Sequence, residues 1–488
     1  MRAFLIRPEP WVFAILFGSS AYFWQARDWN ISSRLMLTYA LVDRGTLSID
    51  GLENQTRDLA RYRGHYFSDK TPGLSLLAVP SYAASKWAFG FPDHPLDRPG
   101  FAHWPADYWM TLATSGLCTA LVGVVLVSLA RGLGCGPRTS ALVGLAYGLS
   151  TPAFAYSTLA YGHQVSALGL IAGFALIRND SARPAIQSTL AGLLASYASL
   201  AEIQVGPVSA LIGLYLLILV VLRRRPLRSV VGFGLGAALP AAFLLGYNFL
   251  AFDSPWRMGY FYEVLVQFKD VHSSGNPLGL RWPDWSRWGD LLWRKRRGLI
   301  RFAPIVILTP PGLLALLSYR QFSCAIVSSL AMALIFLVNL SYPEWTGGWS
   351  TGPRLLVPLL PFAMIPVAGI LARWGRWAMV PALFLTLAGW VVILGFVAVG
   401  GRIPSFVDRP WLDGVWPLIR GDVPLPDWVY GERFARNGFS VEFPGIAARL
   451  PRWAGWVGVL PLVAFQAVMI GLMTRIVGRA GRSTLPPP

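Results

Sequence analysis

The sequence predicts an all-α, polytopic membrane protein, and three observations lead to this class. Of the 488 residues, 54% are hydrophobic and 14% are charged, and the mean hydropathy is +0.49. A soluble globule of this size needs more polar surface. The apolar residues also form runs of about twenty, the length of a helix that crosses a bilayer. Strands of a membrane barrel would alternate apolar and polar residues, so that class is excluded.

About twelve transmembrane helices are expected, one for each apolar run. They cover residues 11–26, 108–130, 140–156, 159–177, 184–202, 207–222, 230–252, 300–317, 322–341, 355–371, 377–400 and 453–473. The first run follows Arg2 and Arg7, and no small-residue cleavage signal comes after it. It is therefore predicted to stay in the chain as a signal anchor.

The net charge of +18 indicates orientation in the bilayer and not a nucleic acid partner. Arginines cluster in short loops on one side, as in 223–228 and 373–376, and the positive-inside rule makes that side cytoplasmic. All 24 acids except Glu9 and Asp180 fall on the other side. This pattern predicts a bacterial inner-membrane protein with cytoplasmic termini and a site on the extracytoplasmic face.

The predicted segments alternate between the membrane and the extracytoplasmic side. They are the first helix 1–26, the first extracytoplasmic loop 27–107, helices two to seven in 108–252, an amphipathic segment 253–299, helices eight to eleven in 300–400 with the outer loop 342–354, a cap 401–452, and the last helix and tail 453–488. Residues 73–89 are apolar but contain Pro80 and Lys86. As a span they would move every later arginine cluster outside, so we expect an interfacial helix or one packed beside the bundle.

The loop 27–107 is the predicted catalytic loop, because it places carboxylates and cations beside the membrane. Lys70 is one of four lysines and directly precedes the interfacial helix 73–89. An ammonium group there could meet a phosphate at headgroup depth. From the residues alone, anchoring to lipid headgroups has about equal weight.

Residues 66–72, Tyr-Phe-Ser-Asp-Lys-Thr-Pro, resemble the Tyr-Phe-Glu-Lys-Pro element of the lipid A aminoarabinose transferases and, more loosely, the protein O-mannosyltransferases. These are GT-C membrane glycosyltransferases that use polyprenyl-phosphate sugars. The resemblance implies a GT-C-like fold, contact of Lys70 with the carrier phosphate, and Asp69 as the neighbouring acid. In that group an Asp-Glu pair, with Arg two positions on, begins the loop. Residues 30–34 here keep Arg34, but the acid pair is missing.

The general base must therefore be another acid of the loop, and Asp28, Asp50, Asp58 and Asp69 are the alternatives. We favour Asp58, which lies twelve residues before Lys70 in a predicted polar turn where a carboxylate can stay ionised. Asp69 is the second predicted catalytic residue.

A second resemblance covers more of the chain. Residues 30–34, 68–73, 151–152, 161–163 and 345–354 resemble a large set of uncharacterised bacterial multispan proteins that are usually grouped with GT-C enzymes. The predicted donor-phosphate residues are Lys70, Arg34, Arg354 and His163, and the predicted substrate-binding residues are Asn30, His65, Tyr342, Glu344 and Trp345. The simpler alternatives are an interfacial arginine among belt tryptophans and a histidine paired within the bundle.

Two further segments are expected on the extracytoplasmic side. Residues 282–297 alternate tryptophans and bases, which predicts a membrane-surface segment lining the approach of an anionic lipid carrier. The segment 402–452 carries acids and prolines and predicts a small cap, where an acceptor could bind.

The predicted function is transfer of a sugar from a polyprenyl-phosphate donor to an extracytoplasmic lipid, glycan or protein. Lysine and arginine would stabilise the leaving phosphate, and an Asp would be the general base. A divalent ion among the acids is left open, because no ligand spacing demands one. The alternatives are a lipid flippase or transporter and a non-catalytic GT-C-like subunit. The three cysteines indicate neither a disulfide framework nor a zinc site.

Overall fold

A computed structural model describes residues 6–94, 105–269, 271–272, 276, 278–420 and 458–483. Its longer helices are α1 Pro8–Ala21, α2 Trp29–Tyr39, α3 Gly73–Phe89, α4 Pro105–Gly132, α5 Pro137–Ser150, α6 His163–Arg178, α7 Pro184–Ala201, α8 Ile203–Val221, α9 Arg228–Phe252, α10 Pro304–Ser318, α11 Phe322–Ser341, α12 Arg354–Trp374, α13 Arg376–Ala398 and α14 Leu460–Ser483. Short helices include Ala153–Ser157, Gly259–Tyr262, Val266–Lys269, Trp288–Leu292, Leu299–Phe302 and Trp416–Ile419.

The structure confirms the predicted class, an all-helical multi-pass membrane protein. In the described ranges, seven helices are long and apolar enough to cross a bilayer: α4, α8, α9, α11, α12, α13 and the Leu460–Gly478 part of α14. Helices that are shorter or less apolar occupy the other predicted positions: α1, α5, α6, α7 and α10. The count of twelve spans therefore stays a prediction. The predicted span 453–473 and cap 401–452 lie partly outside the described residues.

Small residues allow the helices to approach closely. A methyl group at Gly236 of α9 would overlap the carbonyl oxygen of Thr189 in α7, and one at Gly192 of α7 would overlap that of Phe233 in α9. Close backbone contact through glycine is the usual way in which membrane helices pack without a hydrophobic driving force. This packing fixes the end of α7, where the candidate site begins.

The long connections meet at one end of the bundle, called here the loop face: residues 22–94, the described residues of 253–303, and residues 342–353 and 399–420. Backbone bridges join Ala60 to Glu263 and Ser350 to Ile403. Arg297, fully buried, donates hydrogen bonds to the carbonyls of Ser350 and Ile403. The loops therefore form one connected layer over the helix ends.

A β-hairpin lies in the first loop, which the sequence-based prediction did not include. Strands β1 Leu59–Tyr62 and β2 His65–Ser68 pair with Leu59 opposite Ser68. Both turn residues, Arg63 and Gly64, have positive φ angles, 50° and 90°, as a tight hairpin turn requires. Asp58 and Asp69 directly flank the open end of this hairpin, so pairing brings them together.

The segment 73–89 forms helix α3, which packs against α2 and α4 and carries Leu74, Ala78 and Tyr82 in the core. A Cβ atom at Gly73 would lie 2.5 Å from the backbone nitrogen of Ala201, so the start of α3 rests on the end of α7. Helix α3 thus contacts the bundle, and its position relative to the membrane interface stays a prediction. This contact holds Lys70 close to α7.

Candidate active site

Lys70 lies between two carboxylates at the open end of the hairpin. Its Nζ is 3.1 Å from Oδ2 of Asp58 and 2.6 Å from Oδ2 of Asp69. The side chains of Lys70 and Asp58 are 11% and 13% exposed. Ser33 of α2 donates a hydrogen bond to Oδ1 of Asp69 at 2.9 Å and fixes that carboxylate. Two of the three ammonium hydrogens thus have partners, and one remains for a ligand.

The electrostatics of this group keep the lysine charged and raise the pKa of Asp58. Burial lowers the pKa of Lys70, but the charges of Asp58 and Asp69 outweigh it and raise that pKa well above its usual value. Burial raises the pKa of Asp58, and the charge of Asp69 raises it further, against the opposing effect of Lys70. A buried carboxyl group of raised pKa is the form that a general base requires near neutral pH.

Arg34 is held by the protein itself. Its Nη2 lies 2.9 Å from Oε1 of Glu202, with the side chains 2% and 6% exposed. Its Nε donates to Oδ1 of Asn30 at 3.1 Å. Nδ1 of His163 lies 3.5 Å from the same Oε1, and the rings of His163 and Tyr161 stack with centroids 5.5 Å apart. Arg34 and His163 therefore converge on Glu202, and Asn30 supports Arg34.

Arg354 differs from the other cations. Within the described part of the chain it has no hydrogen bond or ion pair, and its buried Nε has no acceptor. The guanidinium lies over the ring of Tyr161, 5.1 Å from the centroid. Gly347, with φ of +68°, lies against this side chain, since a Cβ atom there would be 2.7 Å from Cγ of Arg354. The guanidinium of Arg354 is therefore held in place and keeps N–H donors for an anion.

Asp28, one of the alternatives for the general base, joins the site together with Arg402, whose contribution was missed. Oδ1 of Asp28 caps α2 by accepting from the N–H of Ile31 at 2.8 Å, while Oδ2 accepts from the hydroxyl of Tyr161 and lies 3.3 Å from Nη1 of Arg402. Burial raises the pKa of Asp28, but Arg402 and the Ile31 N–H outweigh it and lower that pKa. An acid before a helix is a recognisable cap in the sequence, whereas the approach of Arg402 is not.

A cavity opens beside this cluster, with an empty volume of about 660 Å³ including its mouth. Tyr260 belongs to its wall, and the ammonium group of Lys70 lies over this ring at 6.0 Å. Tyr342, a predicted substrate residue, also lines the cavity. Leu355 lines it on the side of Arg354. The cavity therefore lies next to the ring that Lys70 contacts, and its wall includes the sequence neighbour of Arg354.

Three predicted substrate residues are not part of the cluster. His65 lies at the turn end of the hairpin, 65% exposed, with Nδ1 2.7 Å from Oδ2 of Asp50. Glu344 is exposed, and Trp345 is half-buried against the hydrophobic core. The predicted membrane-surface segment 282–297 does expose Trp282, Trp285 and Trp288, as its pattern indicated. The described ranges hold no group of three or more His, Cys, Asp or Glu able to bind a metal ion.

The fold and the site together define a class: a multi-pass helical membrane protein with a buried, charged site where the loops meet the helix ends. No family model matches the chain, and no curated protein matches it significantly. Solved structures do. ArnT from Cupriavidus metallidurans in the apo state has a TM-score of 0.49 and 18% identity over 95% of this chain and 74% of its own.

The same ArnT bound to undecaprenyl phosphate has a TM-score of 0.48 and 17% identity, over 96% of this chain and 75% of its own. The archaeal oligosaccharyltransferase AglB from Archaeoglobus fulgidus, in complex with an inhibitory peptide and a dolichol-phosphate, has a TM-score of 0.45 and 10% identity over 88% of this chain and 59% of its own.

Proposed function

We propose that this protein is a membrane glycosyltransferase that moves a sugar from a polyprenyl-phosphate donor to a hydroxyl group of an acceptor. One observation carries the proposal. Lys70 is held between the carboxylates of Asp58 and Asp69, and the buried Nε of Arg354 has no hydrogen-bond acceptor in the described part of the chain. A site with one free cation and one basic carboxylate suits a reaction in which an anion leaves and a proton is removed.

Different residues stabilise the leaving phosphate and remove the proton of the acceptor. The acceptor hydroxyl oxygen attacks the anomeric carbon of the sugar, the bond from that carbon to the phosphate oxygen breaks, and the phosphate leaves with the electron pair. Arg354 and the third ammonium hydrogen of Lys70 stabilise the charge on the phosphate. Asp58 accepts the acceptor's proton, and Asp69 orients Lys70 and raises the basicity of Asp58.

In this mechanism Arg34 and His163 do not bind the donor phosphate, which is the role that the sequence suggested for them. Both groups contact Glu202, and a guanidinium already paired with a buried carboxylate has little attraction left for a phosphate. They hold α2 against the end of α7, which fixes the position of the hairpin and Lys70 relative to the helices. Asn30 supports Arg34 in the same way.

The carrier lipid would enter along the exposed tryptophans of segment 282–297, on the extracytoplasmic side of a bacterial inner membrane. The acceptor would be a lipid, glycan or protein on that side. A divalent ion is not needed for the leaving group, because Lys70 and Arg354 supply the cations.

The experiment is sugar transfer by purified protein in nanodiscs. A panel of radiolabelled polyprenyl-phosphate sugars is offered with native membrane lipid extract as acceptor, with and without EDTA. We expect product from the wild type in both conditions. Lys70→Ala and Asp58→Asn should each lower turnover by about 10²-fold or more, the typical effect of removing one positioned transition-state group.

A matched control is His65→Ala, which removes a charge-capable side chain from the same hairpin outside the cluster and should leave turnover unchanged. Product that persists in Asp58→Asn would move the base to Asp69. Absence of product with every donor, together with retained binding of polyprenyl phosphate, would contradict the enzyme and favour a lipid-translocating or non-catalytic protein.

A further inference from the structure

The cavity beside Lys70 contains polar groups that the protein leaves unsatisfied. Asn339 of α11 is 1% exposed and lines the cavity, and neither Oδ1 nor Nδ2 of its amide has a hydrogen-bond partner in the described structure. Nε2 of Gln204, at the start of α8, lines the same cavity and is also buried without an acceptor. Buried polar atoms are almost always hydrogen-bonded, so an occupant of the cavity is expected to bond them.

The chemistry of the wall limits what that occupant is. Its polar members are two amides, the phenols of Tyr260 and Tyr342, and His272, whose Nδ1 lies 3.5 Å from Oε2 of Glu263. The lining residues in the described ranges therefore present no charge without an opposite charge beside it. Amides both donate and accept, and the stacked rings of Tyr260 and His272 provide a flat face.

We infer that this cavity binds the sugar ring of the donor and is selective for an uncharged, hydroxyl-bearing ring over one that carries an amine. The inference rests on the proposed function and names the substrate class of the same site. Asn339 hydrogen-bonds the ring hydroxyls, and the ring stacks against Tyr260 or Tyr342. An ammonium group on the sugar would enter a wall without a free carboxylate and would lose its hydration there.

The position of the cavity agrees with this occupant. Tyr260, whose ring lies under the ammonium group of Lys70, and Leu355, the neighbour of Arg354 in the sequence, both line it. A ring in the cavity would therefore lie beside a phosphate held by Lys70. A prenyl tail in the same space would leave the amides of Asn339 and Gln204 unbonded.

The test is equilibrium binding to purified protein in nanodiscs with three probes: decaprenyl phosphate, the same carrier with glucose, and the same carrier with an amino sugar. We expect the wild type to bind the glucose-bearing carrier about tenfold more tightly than the bare one, the effect of one satisfied buried polar group. Asn339→Leu should abolish that gain and keep the affinity for the bare carrier. Ser328→Ala, on the same helix but outside the cavity, should keep both affinities.

A second variant, Asn339→Asp, keeps the shape of the side chain and adds a negative charge. It should shift the preference toward the amino sugar. Equal binding of the bare and glucose-bearing carriers by the wild type, or an unchanged preference in Asn339→Leu and Asn339→Asp, would overturn the inference and indicate a water-filled or lipid-filled cavity. Failure of the proposed function looks different, because the wild type would then transfer no sugar from any donor in the nanodisc assay, even where it still binds the carrier.

Discussion

Replacing Glu202 with glutamine is expected to destabilise the protein strongly, because this carboxylate neutralises a buried arginine. Oε1 of Glu202 lies 2.9 Å from Nη2 of Arg34, and both side chains are almost fully buried. Glu202→Gln keeps the shape of the side chain and removes its charge. The guanidinium of Arg34 would then remain buried without a counter-ion.

The magnitude follows from the contacts that remain. Removing one partner of a buried ion pair typically costs about 3–5 kcal/mol. Arg34 would keep two neutral acceptors, Oδ1 of Asn30 at 3.1 Å and the carbonyl of Ala201 at 3.3 Å. We therefore expect the lower end of that range, about 3 kcal/mol in the free energy of unfolding.

The assay is denaturant-induced unfolding in detergent micelles, followed by tryptophan fluorescence. The double variant Arg34→Gln with Glu202→Gln replaces both charges of the pair by amides. It should be more stable than Glu202→Gln alone, since neither member of this pair is then charged. Glu344→Gln removes an exposed carboxylate and serves as the control. A Glu202→Gln protein as stable as the wild type, or a double variant less stable than the single one, would refute the reasoning.

Two further predictions concern turnover and donor binding. Asp69→Asn removes the negative charge that raises the pKa of Asp58, so the acid limb of the pH–rate profile should move to lower pH. An acid limb that stays in place or moves to higher pH would contradict Asp58 as the base. Complete loss of turnover would favour Asp69 as the base. Gly347→Ala should weaken carrier binding in a titration, because its new Cβ displaces Arg354. Gly348→Ala is the control and should bind the carrier as the wild type does. Gly348 has a similar φ of +70°, but a Cβ atom there would have nothing within 4 Å.

Much of the helix arrangement was predictable because its cause is local. Runs of apolar residues and the arginines between them are visible in the sequence, and helices form at the predicted positions that the structure describes. The hairpin at 59–68 was missed because its strands do not alternate apolar and polar residues, so only the Arg63-Gly64 turn signals it. The pairing of these strands is the reason why Asp58 lies beside Lys70.

Some site residues were predictable from one loop of the sequence, and others were not. Asp58, Asp69 and Lys70 share one short loop, so a sequence motif and the hairpin register suffice to bring them together. The partners that decide which cation is free come from distant elements, as Glu202 does from the end of α7 and Arg402 from the connection after α13. Such pairings depend on tertiary packing and leave no pattern in the sequence.

The most direct measurement locates the donor on the protein. A polyprenyl phosphate with a photoreactive group on its first prenyl unit is cross-linked to the purified protein, and the modified peptides are identified by mass spectrometry. The account predicts cross-links in segments 68–72, 203–207 and 335–355, which are lost on competition with unlabelled carrier and weakened in Arg354→Gln. Cross-links confined to the opposite end of the bundle, around 131–138 and 222–228, or unaffected by Arg354→Gln, would contradict it.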